Sequence, residues 1–222
     1  LFVLAGTIAT ISDVTAGDDV TITAPDGILA SGVVTSGSGP DDRSLIFAPF
    51  SPSSPAMFQV VGSPPDQSNI ALTAAAGDIT ASNLNAAANL TAAASGQISV
   101  NGPLQAGGDI ALTATGADLA TLVTPVGDRI ATLNAGGNVT IAVTDSVTGG
   151  VIRAGGDIGI TAGSTANLVE VSTAAGNVLV AATDGMLIDT LRSGGTTGLS
   201  STDSGIVINA FDADGAISAT AQ

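Results

Sequence analysis

The residues with which this chain could do chemistry are almost all carboxylates. It contains 18 Asp and one Glu, Glu170, against four Arg, and it has no Lys, His, Cys or Tyr. Histidine is the commonest general base near neutral pH and the commonest ligand of transition metals, so neither kind of site can be built here in the usual way. What remains is carboxylate chemistry: calcium binding and, for pairs of carboxylates, the hydrolysis of glycosidic bonds.

One short segment has the spacing of a calcium-binding loop. Asp212 and Asp214 precede Gly215 in FDADGAIS, which is similar to the start of a D-x-D-G loop, but the Glu expected at the twelfth position is missing. The segment also falls on a regular turn of the repeat described below, and turns favour Asp for their own reasons. We therefore favour a turn, predict no cofactor, and keep Asp212 and Asp214 as metal candidates, for calcium.

Carboxylates about one repeat apart could serve a glycosidase. The candidate pairs are Asp184 with Asp203 and Asp109 with Asp128. Most Asp residues nevertheless stand at turn positions, where hydrogen bonding to the backbone explains them. A carboxylate base also needs burial or a close like charge to work near neutral pH, and an exposed turn provides neither. We therefore predict that the chain is not an enzyme and has no catalytic residues.

The elements that position these carboxylates come from one repeated pattern of ten residues. The sequence QAGGDIALTA at 105–114 returns as RAGGDIGITA at 153–162, and in looser form as NAGGNVTIAV at 134–143 and TAGDDVTITA at 15–24. In each copy the apolar residues alternate with polar or small ones. A period of two predicts a strand with one buried face.

Corners of small residues give the length of the repeat. Eight of them recur at steps of 19 to 21 residues, at Gly77, Gly96, Gly116, Gly137, Gly156, Gly176, Gly195 and Gly215. A second ladder, about half a step away, runs through Ala88, Gly108, Gly127, Ser146, Ala166, Gly185 and Gly205. A strand, a corner and another strand half a repeat later describe one coil of a solenoid. We expect Gly at the corners because the chain turns sharply there, often at positive φ.

This period predicts an all-β fold, a single-stranded parallel β-helix of about 19–20 residues per coil that forms one domain over residues 1–222. Its inward Val, Ile, Leu and Ala should stack into one core, with Ile158 between Val139 and Val178. Thr21 and Thr23 point outward and would suit an ice-binding array of threonines. We expect a solvated face instead, because the outward positions of later coils do not repeat that pair: Asp78, Thr80, Gln97, Ser99, Asn138, Thr140, Asp157 and Gly159.

A proline-rich segment at 37–68 interrupts the repeat. It holds six of the nine prolines and three of the five phenylalanines, Phe47, Phe50 and Phe58. Proline removes hydrogen-bond donors from a sheet, so the segment should be an insertion in the solenoid. Its phenylalanines either cover the flank of the stack or form an exposed loop that binds a partner, and we name them as the partner-binding candidates.

The composition also limits the partners. A formal net charge of −15 disfavours nucleic acid and anionic lipid surfaces. The apolar N-terminal stretch LFVLAGTIATIS is too short to cross a membrane and lacks the basic start of a signal peptide. We therefore predict no binding of nucleic acid and no direct membrane insertion, and we expect the chain to be a segment of a longer protein.

The AGGDI-x-hydrophobic-x-A pattern resembles the repeats of filamentous haemagglutinin-type exoproteins, large bacterial adhesins and contact-dependent toxins secreted by the two-partner route. The pattern is carried by residues 107–112, 136–141 and 155–160, and looser copies extend over most of 77–220. The NPNL and NPNGI motifs of that family's secretion domain are absent. The resemblance implies a right-handed coil, an extracellular location at the cell surface, and a shaft without catalytic residues.

Together these observations lead us to expect a structural or adhesive shaft segment of a large secreted bacterial surface protein. Its partners would be glycans or proteins of host or neighbouring cells, or copies of itself, bound through outward strand faces or the inserted loop. Two alternatives stay open. One is a self-assembling subunit of an extracellular filament or surface layer, and the other is a β-helix that binds or cleaves polysaccharide.

Overall fold

The structure is a computed structural model of the chain, and it describes residues 1–17, 19–36, 68–119, 121–124, 127–130 and 132–222. The partner-binding candidates Phe47, Phe50 and Phe58 lie outside these ranges. So does the proline-rich segment, apart from Ser68. Their proposed roles therefore remain predictions from the sequence.

Within the described residues the chain forms β-strands and no helix. The first thirteen strands are β1 Phe2–Leu4, β2 Ile8–Ile11, β3 Val14–Ala16, β4 Val20–Ala24, β5 Gly27–Ser36, β6 Ile70–Ala74, β7 Asp78–Ala86, β8 Leu90–Ala94, β9 Gln97–Val100, β10 Leu104–Ala106, β11 Ile110–Ala114, β12 Gly116–Leu119 and β13 Thr121–Thr124. The next twelve are β14 Gly127–Ile130, β15 Thr132–Ala135, β16 Val139–Val143, β17 Val147–Gly149, β18 Val151–Ala154, β19 Ile158–Ala162, β20 Thr165–Thr173, β21 Val178–Ala182, β22 Gly185–Ser193, β23 Thr197–Ser201, β24 Ile206–Ala213 and β25 Ile217–Ala221.

Two parallel sheets contain all of these strands except β13 and β14. Sheet A has ten, in the order β1-β4-β6-β8-β11-β16-β19-β21-β23-β25, and sheet B has thirteen. Because neighbouring strands come from successive repeats, the chain winds as a β-solenoid of about nine turns. The predicted all-β fold of stacked parallel coils is confirmed.

Each coil crosses sheet A once and sheet B in two segments. In the coil that begins with β19, strand β20 follows in sheet B, where its first half pairs with β17 and its second half with β18. The next coil begins at Val178, which pairs with Ile158 twenty residues earlier. The coil therefore has three strand faces separated by corners, as the predicted repeat length allows.

The core is a stack of small aliphatic side chains from successive coils. Ile158 pairs with Val139 on one side and Val178 on the other, and all three are at most 1% exposed. The same inward alternation holds for Ile110 and Leu112 in β11. The predicted strand phase is confirmed at these positions, and burial of such residues stabilises each layer against the next.

The series of glycine corners predicted from the sequence joins two different corners of the coil. Gly77 and Gly96 lie at the corner that follows sheet A, whereas Gly137 stacks on Gly108 at the corner that precedes sheet A. The predicted step from Gly116 to Gly137 therefore passes from one corner to the other, which is an error of about half a coil. From Gly137 to Gly215 the steps were assigned correctly.

A hairpin explains the error. Strands β13 and β14 pair antiparallel with each other, and they lengthen one coil so that Asp109 and Asn138 are neighbours although 29 residues separate them. This coil has about ten residues more than the others, which is half a repeat. A step of 21 residues from Gly116 therefore ends at Gly137, a glycine of the other corner. Gly127, assigned to the second ladder, lies in this hairpin.

The reason for glycine at the corners also differs from the expectation. Among the described residues positive φ occurs at Gly27, Gly149, Gly150 and Gly185, so the expectation holds at the predicted corner Gly185 but not at corners such as Gly156. A Cβ at Gly156 would instead collide with the side-chain oxygen of Asn138 on the coil below. Glycine is needed there because neighbouring coils approach closely, and the expected left-handed backbone is wrong for this corner.

Candidate functional site

A continuous ladder of side chains runs along the corner that precedes sheet A. In each coil a side-chain oxygen accepts a hydrogen bond from the backbone N–H of the equivalent residue in the next coil, at 2.7–3.1 Å. We call this set the corner ladder; its members are Asp19, Asn69, Asn89, Asp109, Asn138, Asp157, Asn177 and Thr196.

Every step of the corner ladder is closed by two hydrogen bonds. The backbone N–H of Asn138 donates to Asp109 Oδ1 at 2.7 Å, and its backbone carbonyl accepts from Ile110 N–H at 2.9 Å. Asx side chains are well suited to this because their oxygen reaches a backbone donor close to a turn. The side-chain bonds add to the backbone bonds that join coils at the same corner, such as the one from Gly137 N–H to the Gly108 carbonyl at 2.9 Å.

The order of acids and amides in the corner ladder limits charge repulsion. Asp109 and Asp157 are separated by Asn138, and Asp19 is separated from Asp109 by two amide rungs. With neighbouring coils about 4.8 Å apart, the nearest ladder carboxylates are about 10 Å apart, which is near the Debye length at physiological salt. The ladder thus uses acids only at a spacing at which their repulsion is screened.

The glycosidase candidates serve other purposes or belong to different elements. Asp109 is a rung of the corner ladder, whereas Asp128 lies in the hairpin strand β14 opposite Val123. Asp184 and Asp203 do lie at the same corner of successive coils, and Asp184 Oδ2 accepts a hydrogen bond from Ser164 Oγ at 2.6 Å. Both are exposed turn residues.

The calcium candidates stand at the last described corner. Asp212 is in β24 with Arg192 as its partner on the neighbouring strand, and the backbone N–H of Asp214 donates to the carbonyl of Ser193 at 2.9 Å. In the described part of the chain no group of three or more acidic side chains could hold a metal ion. Calcium takes six to eight oxygen ligands, so the calcium interpretation still rests on the sequence pattern alone.

A column of polar side chains lies on the second half of sheet B. Its members occupy the same outward position in successive coils, and we call it the polar column: Asn85, Gln105, Asn134, Arg153, Ser172, Arg192 and Asp212. It contains two of the four arginines of the chain. In a protein with a net charge of −15, this is a place where cationic groups are held in register.

An open groove follows the polar column across three coils. It has a volume of about 380 Å³, and its floor is Ala and Gly from the adjoining corner, including Ala106 and Gly107. The amides of Asn85, Gln105 and Asn134 line it. These three side chains make no hydrogen bond to another described residue, unlike the amides of the corner ladder. Each therefore offers a free donor and a free acceptor to a ligand.

Beyond the groove the column contains an ion pair. Arg153 donates to both carboxylate oxygens of Glu170, through Nε and Nη2 at 3.1 Å each, and Ser172 Oγ donates to Glu170 Oε1 at 3.0 Å. The Arg153 hydrogen bonds hold the pKa of Glu170 below its ordinary value, against the opposing effect of partial burial. About half of the Arg153 side chain is exposed, at 53%, so it can still reach a ligand.

The sequence carries a signal for the corner ladder, although the ladder was not among the expectations. In each copy of the repeat an Asp or Asn stands directly before the strand, as Asp109, Asn138 and Asp157 do. These residues were expected to be turn residues or outward strand positions. The polar column had no such signal, because Asn85, Gln105 and Arg153 share neither residue type nor sequence spacing across the hairpin.

No protein family model, curated protein or solved structure matched this chain. The described residues also include no helix long and apolar enough to span a membrane. What the geometry establishes is a parallel β-solenoid with a structural ladder on one corner and a lined groove on one face.

Proposed function

We propose that this chain is a structural and adhesive shaft segment of a large secreted bacterial surface protein of the filamentous haemagglutinin type, located outside the cell. The observation that carries the proposal is the continuity of the stack. The corner ladder links eight successive coils, from Asp19 to Thr196, across both places where the chain is lengthened. A scaffold built to hold one register over its whole length suits a shaft.

The use of the carboxylates supports a role without catalysis. Asp109 and Asp157 each accept a hydrogen bond from a backbone N–H of the next coil, and Glu170 is held by Arg153. A general acid or base needs a carboxyl group free to exchange its proton with a substrate. These groups stabilise the fold instead.

The polar column is the surface through which we propose that the shaft binds. Strand β10, which carries Gln105, is paired over its three residues with β7 on one side and β15 on the other, so its backbone groups have no capacity for an added peptide strand. The free amides of Asn85, Gln105 and Asn134 pair instead with hydroxyl groups, which also donate and accept. An extended glycan lying along the solenoid axis fits this pattern.

One feature favours the filament subunit as a second candidate. In the last coil, Ile217 and Phe211 occupy inward positions in register with the buried Thr197 and Leu191, yet they are 55% and 39% exposed. Another coil stacked on β25 would cover them. That coil could belong to the continuing chain of a shaft or to a second copy in a filament, because solenoids require a covered terminal coil.

Binding to cells and to an array of neutral and acidic glycans tests the shaft proposal. The chain is compared with a triple variant that carries Asn85→Ala, Gln105→Ala and Asn134→Ala. A matched control removes outward polar groups from the first half of sheet B, with Thr80→Ala, Ser99→Ala and Thr148→Ala. We expect the groove variant to lose most of its binding and the control variant to keep it.

Three results would contradict this proposal. Equal binding by the two triple variants would exclude the groove as the contact. Turnover of a polysaccharide, lost when a single Asp is replaced by Asn, would favour the cleaving β-helix. Filaments seen by electron microscopy, and abolished by Ile217→Asp, would favour the self-assembling subunit.

A further inference from the structure

The outward face of sheet A carries no charged residue. Its ten strands present twenty outward positions in two columns, and every one is exposed or half-buried. One column is Phe2, Thr21, Ala71, Thr91, Ala111, Thr140, Gly159, Leu179, Gly198 and Ser218. The other is Leu4, Thr23, Thr73, Ala93, Thr113, Ala142, Thr161, Ala181, Ser200 and Thr220.

This composition corrects the grouping of outward positions that was made from the sequence. The outward positions compared in the sequence belong to different surfaces: Asp78 and Gln97 lie in sheet B, and Asn138 is a rung of the corner ladder. The positions that do belong to sheet A form a continuous surface of Thr, Ala, Ser and Gly with three large apolar side chains, Phe2, Leu4 and Leu179.

Carboxylates border this face on both sides. Asp109 and Asp157 stand at the corner before sheet A, while Asp145 and Asp184 stand at the corner after it, and all four are exposed. Two copies of a chain with a net charge of −15 repel each other in most orientations. Sheet A is a surface on which they can meet without opposing carboxylates at the centre of the contact.

The face is also large enough for a stable pair. Ten strands about 4.8 Å apart, nine of them five residues or about 16 Å long and β1 shorter, give a footprint of up to roughly 750 Å² per copy. Standard protein interfaces bury about 800 Å² per partner. Its small side chains let two sheets pack at the usual separation of about 10 Å.

Leu179 supplies an anchor at the interior of the face. Its side chain is 57% exposed, and its column neighbours on both sides are glycines, Gly159 and Gly198. A Cβ at Gly159 would meet no atom within 4 Å, so the surface is recessed there, whereas the Leu179 side chain itself lies beside Gly198. An exposed leucine beside a recess on the same surface is self-complementary, as a two-fold contact between identical copies requires.

We propose that sheet A is the contact surface for a second copy of this chain, packed sheet to sheet with Leu179 at the anchor of the interface. This pairing is sideways, so it is independent of end-to-end stacking on the last coil and of ligand binding in the groove. Its acidic borders predict that salt strengthens the pair, because screening lowers the repulsion between the rims.

Sedimentation equilibrium over a range of protein and salt concentrations tests the proposal. We expect the chain to form dimers, and Leu179→Asp to raise the dissociation constant at least about tenfold. Leu187→Asp is the matched control, because Leu187 is also an exposed leucine at an outward strand position, on sheet B. It adds the same charge and should leave the dissociation constant unchanged.

The melting temperature of each variant checks that both remain folded. A chain that is monomeric at every concentration would overturn the proposal, as would a dimer that survives Leu179→Asp and is lost with Leu187→Asp. A monomer that depresses the freezing point by binding ice, and loses this with Thr140→Asp, would also overturn it and assign the face to ice.

Discussion

Asn138 and Asp157 lie on neighbouring coils, and Asn138 Oδ1 accepts a hydrogen bond of 2.8 Å from the backbone N–H of Asp157. Asp157 repeats the same contact with Asn177 in the following coil, at 2.7 Å. The relationship shows why the repeat places an Asp or Asn directly before seven of the ten strands of sheet A. That residue fastens its own coil to the next.

Removing one rung should leave a backbone donor without its partner. We expect Asn138→Ala to lower the free energy of unfolding by about 1–2 kcal/mol. Asn138→Asp keeps a hydrogen-bond acceptor, but it places a third carboxylate between Asp109 and Asp157. The loss of stability that it causes should therefore become smaller as the salt concentration is raised. Chemical denaturation at low and high salt measures both. A salt-independent loss for Asn138→Asp would contradict the electrostatic role of the amide rungs.

Glycine should be required where coils approach closely and tolerated in open positions. Gly156→Ala introduces a Cβ that collides with Asn138, and we expect a loss of about 1–3 kcal/mol. At Gly159 a Cβ meets no atom within 4 Å, so Gly159→Ala should change stability by no more than about 0.5 kcal/mol. Thermal melts of the two variants compare them, and equal losses would show that the coils are not stacked as described.

The buried stack should reject charge at every inward position. Ile158→Asp places a carboxylate at a site that is 1% exposed, between Val139 and Val178. It should prevent stable folding or cost several kcal/mol. Ile158→Val removes one methylene group and should cost about 0.5–1.5 kcal/mol. If the aspartate variant melted like the parent chain, Ile158 would face solvent.

The ion pair of Arg153 and Glu170 should make a small contribution that depends on pH. Because folding lowers the pKa of Glu170, the stabilisation is fully present above the ordinary Glu pKa of about 4.3. It is lost as the pH falls through the lower folded value. We expect Glu170→Gln to cost less than about 1 kcal/mol at neutral pH, since the pair is partly exposed.

A double-mutant cycle with Arg153→Gln isolates this interaction. The coupling energy should vanish in strongly acidic solution, where Glu170 is protonated in both the folded and the unfolded chain. A coupling that persists there would mean that the two side chains interact through packing instead of charge.

Much of the fold could be predicted from the sequence because its signals are local and repeated. Alternating residues around Ile110 and Ile158 identify strands, and the recurring glycines give the length of a coil. The hairpin of β13 and β14 could not be placed, because an insertion of half a coil leaves a glycine near the expected step. Neighbours that depend on that register, such as Asn134 beside Gln105, could therefore not be predicted.

The reasons behind particular residues were harder to predict than their positions. Gly156 was expected to relieve backbone strain, and it instead makes room for Asn138. Threonines such as Thr140 were grouped with polar residues of another sheet, so the uncharged face of sheet A was missed. Both errors arise because contacts between coils join residues that are far apart in sequence.

The assignment of every outward face depends on the register across the hairpin, and engineered disulfides test that register most directly. The chain has no cysteine, so a pair of introduced thiols is unambiguous. Thr113 and Ala142 are partners on β11 and β16. Their Cα atoms should be about 4.8 Å apart, within the range for a disulfide. The account predicts that Thr113→Cys with Ala142→Cys oxidises readily, as measured by mass spectrometry, while Thr113→Cys with Asn134→Cys stays reduced. If the pair at 113 and 134 oxidised and the pair at 113 and 142 stayed reduced, neighbouring strands would be related by the step of 21 residues that the glycines suggested. That result would contradict the faces described.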